Sequence, residues 1–203
     1  MATEPVGLAE GSWRGRRLRL APLDCVSRGH VAVARVEAPG LSFTAISPYG
    51  LIEFGYASGT LLRTIADLEP LLDDPTLGDN VVIAGDWNIG TWWKGQDDAK
   101  YARREDPALR LLEAYGFEDC LDRHLPADRG RLVDCPCEHG EDCRHIRTYR
   151  KSDSSSAYQD DYLFATKSLA NRMPFAEVDP GWDWASPVSD HAPLIAELDP
   201  RAA

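Results

Sequence analysis

The 203-residue chain is 43% hydrophobic and 9% aromatic, enough to bury a real core and to exclude global disorder. Its 33 acidic against 22 basic residues give a net charge of −11, which excludes coating nucleic acid by charge alone and disfavours docking on anionic lipid. No run approaches the roughly 20 apolar residues that span a bilayer, and Met1 to Pro5 carries no basic region leading into an apolar one. These features predict a soluble, cytoplasmic protein with no membrane partner.

In chain order, residues 1–40 hold six arginines against four acids, so the acidic excess lies beyond them. Arg17 to Leu20 alternates polar with apolar, as a half-exposed strand does. His30–Val36 and Leu41–Ser47 read as two strands, with Ala38-Pro39-Gly40 as the turn of a hairpin. The predicted organisation is an N-terminal segment over 1–29, partly strand, and a main domain over 30–200. Leu61, Leu62, Ile65, Leu68, Leu71 and Leu72 recur at helical spacing, with Ser58 or Thr60 as N-cap and Pro70 shortening the last turn. Asn80–Ala84 is a short apolar strand buried on both faces. A second helix is marked by Asp106 as N-cap, Pro107 in the first turn, Leu109, Leu112 and Tyr115 on one face, and Gly116 as terminator. Asp161–Thr166 and Pro193–Leu198 complete the strands, while Lys151–Ala157 and Pro174–Pro187 read as loops. Strands with interposed helices indicate an α/β or α+β domain.

Three short motifs stand at strand ends. Gly85-Asp86-Trp87-Asn88 follows the buried strand and sends a carboxylate and a carboxamide to one side. There Asp86 suits activating water or holding a cation, and Asn88 suits donating to an anionic oxygen; the same residues also suit a turn. Asp160-Asp161 opens an apolar strand, and desolvated carboxylates are costly unless paired or metal-bound. Ser189-Asp190-His191-Ala192-Pro193 places a cation ligand beside a group able to handle a proton or phosphate.

In this order the three motifs resemble the endonuclease/exonuclease/phosphatase superfamily, the DNase I-like fold, over roughly residues 30–200. The resemblance implies an α/β sandwich of two β-sheets flanked by helices. It also implies a metal-dependent phosphoesterase, a nuclease that hydrolyses phosphodiester bonds with Mg2+ or Mn2+. By position, Asp86 would orient or deprotonate the attacking water and Asn88 would hold a phosphate oxygen. Asp190 would belong to the cation site, His191 would contact the scissile phosphate, and Asp161 would fix the His191 ring. Tyr49, in Ser47-Pro48-Tyr49-Gly50, matches a tyrosine that reaches the phosphate, and equally suits a turn. The implied partner is nucleic acid or another phosphate ester.

The family's opening strand ending in Asn, and its second strand ending in a cation-binding Glu, find no counterpart in residues 1–40. Glu4 and Glu10 have no apolar strand before them, and Glu37 sits at the predicted hairpin turn. The fold is therefore expected to be N-terminally incomplete, with an uncovered edge that invites a homodimer. The alternative function is a catalytically inactive relative acting as a binding module with a zinc-ordered loop. A Ser-His-Asp hydrolase built on Ser58, Asp190 and His191 is disfavoured because no G-x-S-x-G elbow is present.

Five cysteines, three of them crowded at 135–143, argue against a disulfide framework; Cys25 and Cys120 stand alone. An insert at about 133–147 offers Cys135, Cys137, Cys143 and His145, with His139 in reserve, as ligands of a structural Zn2+. The Cys-x-Cys spacing is tighter than in common zinc motifs, and the alternative is a reduced loop with incidental thiols. Trp87, Trp92 and Trp93 cluster near the proposed catalytic strand end and suit base stacking or the core. Lys94, Lys100, Arg103 and Arg104 suit phosphate contacts or a solvated face.

Overall fold

Pro39 fixes φ and Gly40 takes φ +74°, so these two residues reverse the chain between β3 (Val31–Ala38) and β4 (Leu41–Pro48). The structure is a computed structural model that describes residues 10–13, 16–19, 29–76, 78–90, 107–127, 145–150, 157–185 and 188–201. The hairpin pairs antiparallel from Ala38↔Leu41 to Val31↔Pro48. Two earlier strands, β1 (Glu10–Trp13) and β2 (Arg16–Arg19), continue the same sheet on the β3 side.

From β4 the chain crosses over through α1 (Ser58–Leu72) to the parallel strand β5 (Val81–Asp86), the connection that parallel neighbours require. Next come α2 over residues 107–114, β6 (Phe117–Asp119) and α3 (Cys120–Arg123). They are followed by β7 (Tyr149–Arg150), β8 (Ala157–Tyr158), β9 (Asp161–Thr166), α4 (Lys167–Ala170), β10 (Phe175–Val178) and β11 (Leu194–Glu197). The main sheet has seven strands in the order β1-β2-β3-β4-β5-β9-β6; β10 with β11, and β7 with β8, form two-stranded sheets.

Alternation along β5 assigns each face of the main sheet. Val81 and Ile83 join Leu61, Ile65 and Leu68 of α1 and Leu112 of α2 in one core. Val82 and Ala84 pack into a second core with Leu121, Leu169, Met173 and Ala176, beneath the β10–β11 sheet. The central strand is thus covered on both sides, and the expected sandwich of sheets flanked by helices is observed.

Several local expectations are corrected. The N-cap of α1 is Ala57, with no side-chain cap, because Ser58 and Thr60 lie inside the helix; the single Thr60 hydroxyl proton is shared between Ala57 O and Leu51 O. Pro70 sits in the last turn and the helix runs two residues past it. The buried face of α2 is Ala108 and Leu112, whereas Tyr115 is exposed; Gly116 ends it at φ +85°. The predicted loop 174–187 contains β10, and Ala157 belongs to β8 rather than a loop.

Leu61 is 1% exposed in the first core. Leu61→Ala is expected to lower unfolding stability by about 2–5 kcal/mol, through lost transfer energy plus a residual cavity, as read by urea denaturation.

Candidate active site

The parallel β4–β5 pair and the antiparallel β5–β9 pair bring the end of β4, the end of β5 and the start of β9 to one edge of the sheet. The last register partners of the β5–β9 ladder are Asp86 and Asp161. Residues directly opposite on an antiparallel pair project from the same face, and like charges there repel. The backbone extends the pairing one step further, since Trp87 N–H donates to Asp160 O at 2.7 Å.

His191 supplies the counter-charge from a remote stretch of chain. Its Nδ1 lies 2.8 Å from Asp161 Oδ2, and its Nε2 is 4.0 Å from Asp86 Oδ2. The Asp161 hydrogen bond, helped by the negative charges around the ring, pushes His191 up to about 9, so the ring is an imidazolium at neutral pH. Burial raises Asp86, opposed by the hydrogen bond from the Asn88 backbone. Asp160 is pushed up to about 7 by burial and by its carboxylate neighbours. Ligand atoms of Asp86, Asp161 and His191 all lie within 4.8 Å of one another, but the protonated ring offers no lone pair, so only the carboxylates are left to meet a cation.

Glycine is required where the strands converge. A Cβ on Gly85 would stand 2.2 Å from Pro48 O, and one on Gly50 would stand 1.9 Å from Trp87 O. Gly50 N–H donates to Asp86 O at 2.8 Å, so this close approach fastens the β4 end to the carboxylate's own backbone.

Asn88 takes the left-handed conformation, φ +48°. Its backbone N–H donates to Asp86 Oδ1 at 3.0 Å, and its Nδ2 donates to Gly50 O at 3.0 Å and Asp86 Oδ2 at 3.3 Å. The side-chain amide thus ties the end of β4, through Gly50 O, to the Asp86 carboxylate. Tyr49 is exposed at the same sheet edge, with its ring 6.4 Å from that of His30. Asp190 is exposed beside His191, near enough to raise both Asp86 and His191, and stands outside the 4.8 Å cluster.

The remaining predicted residues fall elsewhere. Trp87 is buried against Phe164 and Tyr162, in the core rather than on a binding face. Ser58 is buried in α1. Glu37 pairs with Ser42, six residues along β3 from the Val31↔Pro48 end, roughly 20 Å from the carboxylates at ~3.3 Å per residue. Cys120 is buried and its thiol is pushed up to about 12 by burial, so it is inert. His145 is half-buried. Cys25, Trp92, Trp93, Lys94, Lys100, Arg103, Arg104, Asp106, Cys135, Cys137, His139 and Cys143 lie outside the described residues.

With this geometry established, comparison with solved structures is informative. A 3'-5' exonuclease (NExo) from Neisseria meningitidis superposes with a TM-score of 0.62 at 19% identity, over 90% of this chain and 70% of that one. An AP endonuclease from Archaeoglobus fulgidus gives 0.58 at 20% identity, over 97% and 72%. The endonuclease domain of TRAS1, a telomere-specific non-LTR retrotransposon, gives 0.57 at 17% identity, over 91% and 69%. The fold is DNase I-like. No protein-family model and no curated protein matches the sequence. Among the described residues, no helix is long and apolar enough to cross a membrane.

Two outcomes test the geometry of this site. Because the folded His191 pKa is raised, the Asp161 pairing contributes its full stability below about pH 6.5 and loses it as pH rises through about 9. Thermal melts should show wild type above Asp161→Asn at about pH 6 and the two converging by about pH 10; a gap independent of pH contradicts the pairing. Gly85→Ala should lower the melting midpoint, because the new methyl meets backbone rather than a movable side chain.

Proposed function

We propose that the protein is a divalent-cation-dependent phosphodiester hydrolase acting on nucleic acid, with its chemistry at the sheet edge formed by β4, β5 and β9. The observation that carries this reading is the Asp86–Asp161 register pair closed by the His191 imidazolium. Solved structures of the same fold named as an exonuclease and as AP endonucleases support nucleic acid as the substrate class.

The donor set fits a hard cation, which takes oxygen ligands. Asp161 is committed to the His191 ring, so the carboxylates left for the cation are Asp190, Asp160 and the free face of Asp86. A bound Mg2+ or Mn2+ would neutralise the phosphate and draw an anionic substrate to a chain of net charge −11.

The chain's own residues divide the remaining work. Asp86, raised by burial, accepts the proton of the attacking water. His191 donates from Nε2 to a phosphate oxygen, while Asp161 holds Nδ1 and so fixes the ring's orientation. Asn88 holds Asp86 in place; the 3.3 Å bond from its amide is the one a phosphate oxygen displaces most readily. The charge that develops on the phosphate oxygens as water adds and the P–O ester bond breaks is thus met by preorganised donors rather than by reorienting water.

The test is cation-dependent cleavage of duplex and abasic DNA by the purified protein. Asp86→Ala and His191→Ala should each lower kcat by about 100-fold or more, whereas Arg63→Ala, which removes an exposed ion pair with Glu53, should not. Full activity in both site variants, or no cleavage with any divalent cation, would overturn the reading.

A further inference from the structure

The residues 148–150 run between the two stretches of chain that deliver the paired side chains. On one side the segment is a strand partner of the His191 stretch. Ala192 N–H donates to Thr148 O at 2.8 Å, Arg150 N–H donates to Asp190 O at 2.9 Å, and Tyr149 bridges antiparallel to His191. On the other side it meets the start of β9 through a side chain. The Thr148 Oγ1 accepts the backbone N–H of Asp160 and that of Asp161, each at 3.0 Å.

Thr148 is 0% exposed, so no solvent can substitute at that oxygen. A hydroxyl oxygen has two lone pairs, and here both are directed at adjacent amides. Those amides open β9, where the ladder to β5 ends at Asp86↔Asp161 and the backbone must leave regular pairing. One residue is therefore bonded to the backbone of Asp161 and to the backbone next to His191, two positions 30 residues apart whose side chains meet at 2.8 Å.

We propose that Thr148 is a positioning residue for the active site: its buried hydroxyl sets the separation of Asp161 and His191, and thereby the orientation in which His191 faces the phosphate. The proposal rests on the hydrolase reading for its functional consequence, but its geometric content stands apart from it. A hydrogen bond weakens steeply once donor and acceptor separate or tilt. A small shift of the β9 start is therefore enough to release the ring. Thr148→Val keeps the shape and removes the acceptor, leaving the two part-buried amides without that partner. Thr148→Ser keeps the acceptor and removes only a methyl.

The experiment follows the Nδ1–H proton resonance of His191 by NMR in the full chain, without cation or substrate. Wild type and Thr148→Ser should show the downfield signal of an imidazolium proton bonded to carboxylate, and Thr148→Val should lose it. On DNA, Thr148→Val should reduce kcat about 10- to 100-fold with KM changed less than about threefold, and Thr148→Ser should restore most of it. If Thr148→Val does not fold, Thr148→Ala carries the same expected results. A signal that persists unchanged in the variant lacking the hydroxyl, or that vanishes in Thr148→Ser as well, overturns the proposal. Because the resonance is read without turnover, a chain that shows these shifts yet cleaves nothing refutes the hydrolase reading alone.

Discussion

The structure turns on one forced proximity. Backbone pairing of β5 with β9 sets Asp86 opposite Asp161 at the last rung of the ladder. Two carboxylates at such a position repel, and burial adds a desolvation cost to both. The arrangement is stable because the ladder is anchored by apolar residues further along: Ile83 opposite Phe164 and Val82 opposite Ala165, with Trp87 packed on Phe164 beyond it. The core thus holds together two charges that would otherwise separate, and His191 resolves the conflict by remaining protonated between them.

The surrounding features serve this pair. Gly85 and Gly50 allow β4 to approach closely enough for a Gly50 amide to bond the Asp86 carbonyl. The left-handed Asn88 turns the chain back so that its amide braces the Asp86 carboxylate. Tyr162, buried in the core, donates from its hydroxyl to Ile89 O at 2.9 Å and pins the chain leaving β5. These contacts tie the ends of β4, β5 and β9 together around Asp86, and the Asp161 hydrogen bond fastens His191 to them.

Much of this was legible in the sequence. The strands β3, β4 and β9 are found within one or two residues of expectation because each has an apolar run and, for the hairpin, a Pro-Gly turn. The motif positions were legible because charged residues at the edge of an apolar strand are conspicuous: Asp86, Asp161 and His191 meet as expected. What the sequence concealed depends on tertiary partners. Strand β10 alternates over only four residues, with Phe175 and Glu177 exposed, too short a signal to distinguish from loop. Thr148 is an ordinary threonine until the start of β9 folds onto it. Trp87 suits stacking or the core from its sequence alone, and packing on Phe164 places it in the core. The acid doublet at 160–161 is conspicuous in the sequence, yet only the fold shows that Asp160 shares the electrostatics of the cluster.

The account stands most directly on the charge state of one ring. An NMR titration of the His191 imidazole in the cation-free protein should give a midpoint near 9 in wild type, falling towards the ordinary value near 6.5 in Asp161→Asn. A wild-type midpoint already near 6.5 would show that the ring is not held between the two carboxylates, and would contradict the account at its base.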